Sequence, residues 1–435
     1  MIALPLAPVV LSALMLAAHF LRSGEWGLVA VSLAGPILLT VRRRWVVRAL
    51  QAGLVVGAAL WIRITFDLIG LRQSIGAAWG RMALILGMVA AVTAGAALIL
   101  ESPSLRRRYC QSRASSAASA GAFLLTFAVL TPVQLMVDPP GLLLERFVPT
   151  AGWLEILGLS VYAAWLVERM LDPARSPSLR RRVWLLFSLV FFGQLAVGLA
   201  GIDRFLMTGK LHLPVPALIV AGPIFRGNGF FMPILFTTTV VLVGSAWCSH
   251  LCYIGAWDDV AARAVKRPSV ILRWRRKAQF GILGLVVGAA VLLRLVGAPW
   301  QPALGLAAAF GLGGLAIMAL WSRRSGVMTH CSLYCPLGVV STVLGRINPF
   351  RVRIGDSCTD CGACRPACRY DALGKVDIAR RRPGPSCTLC GDCVSRCRDG
   401  QIGYRFPGLS AWQARAVFLV LVVSLHAAFL GVARI

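Results

Sequence analysis

Eight cysteines near the C-terminus fall into two runs, Cys358, Cys361, Cys364 and Cys368, then Cys387, Cys390, Cys393 and Cys397, each spaced C-x2-C-x2-C-x3-C. Three thiolates on so tight a loop can grip one cubane cluster while the fourth cysteine reaches another, so the duplicated run predicts two [4Fe–4S] clusters. A zinc ribbon would space its cysteine pairs further apart.

Four more cysteines form two matched pairs, Cys248-Ser-His-Leu-Cys252 and Cys331-Ser-Leu-Tyr-Cys335-Pro336, each just beyond an apolar stretch. If those ends stay helical, thiols at i and i+4 share a face. Converging, they could hold a soft metal or a further iron–sulfur centre, cycle between dithiol and disulfide, or contact a redox partner. Singly, each would be a small apolar packer. Their duplication favours a metal or redox site. His250 and His330 lie inside or beside the pairs and could be ligands, proton carriers or thiol activators. His19 and His426 fall within apolar stretches, where hydrogen bonding between helices or axial ligation of a haem would account for an ionisable group. Cys110 reads as a free thiol in a basic loop.

The elements that carry these residues are helices in lipid. The chain is 58% hydrophobic with a mean hydropathy of +0.75, and apolar stretches of spanning length recur along it. Spans are predicted at about 2–21, 25–41, 46–62, 76–99, 117–137, 150–168, 183–202, 230–247, 278–297, 301–321 and 411–433, giving an all-α polytopic membrane protein of about eleven transmembrane helices. Residues 2–21 lack a basic start and a small-residue cleavage site, so they read as a retained span. Four segments follow: unassigned helices over 1–172, a transmembrane core with both C-x3-C pairs over 173–345, a soluble two-cluster insert over 346–404, and a last helix over 405–435. So small an insert is held together mainly by its metal–thiolate bonds.

The net charge of +28 does not point to nucleic acid, because the arginines gather in alternate loops. Arg42 to Arg44, Arg106 to Arg108, Arg180 to Arg182 and the Arg273 to Lys277 group mark the cytoplasmic side, with the N-terminus and the insert; the C-terminus ends outside. The segment from Lys210 to Pro223, apolar but broken by prolines, reads as an interfacial or re-entrant piece that could wall a quinone pocket near Asp203 and His212. Arg365, Arg369, Arg396 and Arg398 crowd the cluster cysteines, and nearby positive charge would raise a cluster's potential.

The C-x3-C pairs followed by two C-x2-C-x2-C-x3-C runs resemble the membrane polyferredoxins of the NapH and NosR type, over roughly residues 183–435. Arg369 and Arg398 stand where the ferredoxin pattern usually has proline at least once, and residues 1–172 match nothing in that family. The resemblance implies a multi-pass protein of the bacterial inner membrane that carries electrons, commonly in a quinol-linked pathway. Ferredoxin ligation would give one cluster to Cys358, Cys361, Cys364 and Cys397, and the other to Cys387, Cys390, Cys393 and Cys368. The expected function is electron relay between a cytoplasmic donor or quinone pool and a membrane or periplasmic redox partner. The alternative is metal handling or maturation, with cluster-derived electrons serving copper at the boundary cysteines. A third reading, an anchor for a partner complex, needs no electron flow. No dinucleotide fingerprint or phosphate loop is present, so the chain reads as a carrier or oxidoreductase subunit and direct nucleotide use is unsupported.

Overall fold

Long apolar runs with few Gly-Pro breaks leave the backbone no partner in lipid except itself, so helices dominate. The computed structural model describes residues 3–40, 44–102, 113–206, 213–269 and 274–432. Arg42, Arg43, Arg106 to Arg108, Cys110, Lys210, His212 and Arg273 lie outside the described residues.

Among the described residues eight helices are long and apolar enough to cross a membrane. The expected spans at the start of the chain fall on Ala3–Arg22 and Trp26–Ile37. At 12 residues, Trp26–Ile37 rises only about 18 Å, well short of a ~30 Å hydrocarbon core. Gly152–Met170 is long enough, but Glu155, Glu168 and Arg169 interrupt its apolar surface. Ala3–Arg22, at 20 residues, is of spanning length.

The chain divides into two compact units, Met1–Glu168 and Arg169–Ile435. In the first, Val9, Leu39, Leu54, Ala96, Ala97 and Leu100 pack into one buried cluster, and Trp45, Val46, Ala49, Ala120, Phe123 and Ala164 into another. Small residues let these helices approach closely: a Cβ at Gly57 would meet the Leu16 side chain at 2.7 Å. Here His19 sets its ring against the edge of Trp61 at 5.5 Å.

The second unit is organised around the last helix, Ala411–Val432. Of its most apolar window 61% is buried, against 11% for Arg275–Leu295 and 17% for the Trp300–Ser325 stretch. Those two helices turn Leu285, Leu292, Leu306 and Leu312 outward, as lipid-facing surfaces do. The segment expected to be interfacial contains a short helix, Leu218–Arg226, preceded by a non-helical Pro214 to Pro216 stretch.

The cysteine-rich insert is closed at its base by two antiparallel strands, β1 (Arg351–Ile354) and β2 (Ile402–Arg405), with Val352 opposite Tyr404 and Ile354 opposite Ile402. Their buried faces seat the insert on the last helix: the rings of Tyr404 and Phe350 lie 4.7 and 5.5 Å from that of Phe418. Arginines complete the docking. Arg275, in the first turn of its helix, donates to the Asp371 carboxylate at 2.5 Å and to the Asp371 carbonyl at 3.0 Å. Arg369 is buried and donates to the carbonyls of Ala262, Val265, Lys266 and Gly326. Its charge serves helix ends and a loop beneath the insert, a role that the spacing of the cysteines does not disclose. Arg369→Met should therefore weaken docking by about 2–4 kcal/mol, since several buried carbonyls lose a charged donor. Faster proteolysis within residues 346–404, with the helices intact, would report it; unchanged protection would refute it.

Candidate functional site

The two C-x2-C-x2-C-x3-C loops have the same backbone. In each, the residue before the second cysteine and the glycine after it take left-handed conformations, Asp360 (φ 53°) with Gly362 (φ 69°), and Leu389 (φ 55°) with Gly391 (φ 77°). Non-glycine residues seldom accept that region, so its repetition at matched positions marks a loop bent for a purpose. A 3-10 turn follows each third cysteine, Arg365–Ala367 and Val394–Arg396. The fourth cysteine of each run accepts a backbone N–H at sulfur, from Ala372 to Cys368 Sγ and from Gln401 to Cys397 Sγ, both at 3.2 Å.

Two recesses result, and each is lined by one crossed set of four cysteines. Cys358, Cys361, Cys364 and Cys397 line the first, together with Arg396 and Asp399. Cys368, Cys387, Cys390 and Cys393 line the second, with Tyr370 and Leu373. The first, or outer, quartet includes the exposed Cys361. The second, or inner, quartet is sunk: burial pushes the Cys368, Cys387 and Cys390 thiols up to about 12. Such thiols stay protonated without a metal, so loading iron must expel their protons. Among the described residues no three His, Cys, Asp or Glu side chains close to the spacing of one ion's ligands. A single zinc would draw sulfurs to about 2.3 Å from one ion, whereas a cubane gives each thiolate its own iron. All-sulfur quartets with N–H groups aimed at sulfur fit the donor chemistry of [4Fe–4S] clusters.

The boundary pairs do not sit on regular α-helix. Cys248 belongs to the π-turn Trp247–Leu251, and Cys331 to the π-turn His330–Tyr334. In each the second cysteine closes the turn, the Cys252 N–H donating to the Trp247 carbonyl at 3.0 Å and the Cys335 N–H to the His330 carbonyl at 2.7 Å. Such single π-turns recur at functional sites because they re-aim side chains. Cys252 lies just ahead of the Gly255–Ala262 helix and Cys335 ahead of the Pro336–Leu344 helix, and the first backbone N–H groups of those segments bond the sulfurs. The fold brings all four thiols within electrostatic reach of one another. The buried Asp258 joins them, its Oδ2 accepting the Cys331 N–H at 2.9 Å. Burial raises that carboxyl to about 6.

The inner quartet lies directly on this boundary. Ser245 and Ser249 hydroxyls donate to the carbonyls of Cys387 and Thr388 at 2.7 and 2.9 Å, and the Tyr370 hydroxyl donates to the Cys248 carbonyl at 3.0 Å. Cys331, from the boundary set, and Cys368, from the inner set, pack on one buried cluster of Trp184, Ala256, Ala262, Met328 and Tyr370. Trp184 also fixes the end of the Trp247–Leu251 turn, its indole N–H donating to the Cys252 carbonyl at 2.8 Å. Burial holds His330 neutral, its imidazole lowered to about 4. His250 bonds Ser249 at 3.0 Å and His426 meets the edge of Phe187 at 5.8 Å, so neither points to a free ligand position.

Several residues of this junction escape a reading by cysteine spacing. Arg180, expected as a loop marker, lies in the first turns of the Ser176–Leu199 helix and is buried. Asp258, Asp259, Arg263, Tyr370 and Asp392 are the others. Asp392 alone carries a sequence signal, an acid between two cysteines of a basic insert.

The model of a 4Fe-4S binding domain matches residues 218–277 and 304–355. Those segments contain Cys248, Cys252, Cys331 and Cys335 and end before Cys358. YccM of Escherichia coli (strain K12), named as an electron transport protein, is 23% identical over 252 residues, covering 50% of this chain and 64% of that protein. No solved structure matches. The domain match and the eight apolar helices make this chain a membrane protein of the 4Fe-4S binding type.

Proposed function

We propose that this iron–sulfur electron-transport protein relays electrons one at a time from an exposed outer centre, through a buried inner centre, to the thiols at the membrane boundary. Cys358, Cys361, Cys364 and Cys397 would hold the outer [4Fe–4S] cluster, and Cys368, Cys387, Cys390 and Cys393 the inner one. When bound, each cluster supplies a reversible one-electron couple. The observation that carries this reading is the shared packing of Cys368 and Cys331 on one buried cluster of Trp184, Ala256, Ala262, Met328 and Tyr370. Cys361 offers the outer centre to a soluble donor, while the boundary thiols face the membrane, where quinone or a membrane or periplasmic redox protein could accept.

Cys248, Cys252, Cys331 and Cys335 would form the last centre. The domain match over these cysteines supports a further iron–sulfur centre there. Anaerobic purification with iron and sulfide analysis tests the proposal: two cubanes require about eight iron atoms per chain and three about twelve. Fewer than about eight in fully loaded protein would sink the two-cluster reading.

The arginine-rich side also docks the insert through Arg180 and Arg275, which supports a cytoplasmic insert. Reporter fusions after Asp172 and after Arg382 should both read cytoplasmic, and a fusion after Val432 should read external. An external signal at Arg382 would reverse the orientation.

A further inference from the structure

We infer that Arg180 sets the reduction potential of the inner centre by neutralising the Asp392 carboxylate beside Cys390. The inference rests on the two-cluster reading above. Arg180 is 1% exposed; its Nε and Nη2 donate to the two carboxylate oxygens of Asp392 at 3.0 and 2.8 Å, and its Nη1 donates to the Ser249 carbonyl at 2.9 Å. Asp392 lies between Cys390 and Cys393, so the guanidinium sits within electrostatic reach of Cys390. One side chain thus ties a loop of the inner quartet to the turn that carries Cys248.

The charges around it are counted easily. Arg263 donates to Asp392 at 3.0 Å and to both oxygens of Asp259 at 2.8 and 2.9 Å, and Arg180 lies 4.0 Å from Asp259. These two arginines and two aspartates balance, and Arg181 and Arg369 lie within electrostatic reach of the same carboxylates. Remove the Arg180 charge and the field at Cys390 becomes one charge more negative; remove the Asp392 charge and it becomes one charge more positive. Gaining an electron makes a cluster one charge more negative, so the first change must disfavour reduction and the second favour it. Arg180 and Asp392 are buried, and screening by salt is weak.

The cation of the outer quartet, Arg381, pairs with Asp360 before Cys361 and lies nearer the surface than Arg180. Arg396 and Arg398 beside it are exposed, where solvent screens them, and Arg369 is committed to carbonyls. Burial alone would lower the inner potential, because protein solvates the reduced cluster poorly. A paired, immobile guanidinium offsets the Asp392 carboxylate beside Cys390 and also holds the loop.

The test is a redox titration of the purified, anaerobic full-length protein, followed by paramagnetic resonance. Arg180→Gln should weaken reduction of one centre at least tenfold, about 59 mV for a one-electron couple. Asp392→Asn should move the same centre the opposite way, and Arg180→Lys should keep most of the wild-type potential. The other centre should stay fixed. Opposite shifts from the two substitutions cannot come from loosened packing, which would move both in one direction. If Arg180→Gln fails to assemble, Asp392→Asn still decides, since a lowered or unchanged inner potential there overturns the inference. A wild-type titration with one cubane signal would overturn the two-cluster reading itself; two signals that Arg180→Gln leaves in place would overturn the role of Arg180 alone.

Discussion

Cys252→Ala or Cys335→Ala stops electrons at the inner centre while the clusters of the insert stay assembled. Both thiols lie outside the two recesses, so the eight cysteines that line those recesses are untouched. As simple packers, each would lose one small buried group, a cost of about 1 kcal/mol that leaves a well-folded protein. As members of one centre, each carries the whole transfer step, and the first loss removes nearly everything. In membrane vesicles, reoxidation of dithionite-reduced clusters by decylubiquinone should slow by roughly a hundredfold in either variant, and the double variant should add little, as expected of residues that act as one unit. Reoxidation at the wild-type rate in a folded double variant would reduce both π-turns to packing. The dependence on tertiary structure is direct: Cys252 and Cys335 lie far apart in the chain, and only the two helix starts at Gly255 and Pro336 bring their sulfurs together.

Cys390→Ser and Cys361→Ser should each remove about four iron atoms per chain, one cubane's worth, but with unequal structural cost. Cys361 is exposed on the outer loop, and losing its cluster leaves the strand pair and the docking arginines in place. Cys390 stands two residues from Asp392 and within reach of Arg180, in the loop that Ser245, Ser249 and Tyr404 also hold. Iron binding and folding are coupled most tightly there, so Cys390→Ser should also expose residues 384–397 to protease and slacken the Trp247–Leu251 turn. Retention of the full wild-type iron content in both variants would refute the ligand sets. Equal protease sensitivity in the two would show that the inner loop is no more committed to the membrane part than the outer.

The chain's own order of residues determined the chemistry: thiols of the right number at the right spacing, an apolar background that can only be helical in lipid, and a polar insert between the last two helices. Those are local properties, set by a handful of neighbouring residues or by average hydropathy. Span number was less legible, because hydropathy averages over a window and does not see that Trp26–Ile37 stops after 12 residues or that acids interrupt Gly152–Met170. The π-turns were not legible either, since a C-x3-C spacing suits an ordinary helical turn equally well. What only the tertiary structure decided is the junction. Arg180 and Asp392 are more than two hundred residues apart, and in sequence they read as a loop arginine and a stray acid. Burial gives them their meaning: away from water an arginine needs carboxylates and carbonyls on all its donors, and the fold supplies them at the one place where the insert meets the cysteines of the membrane boundary.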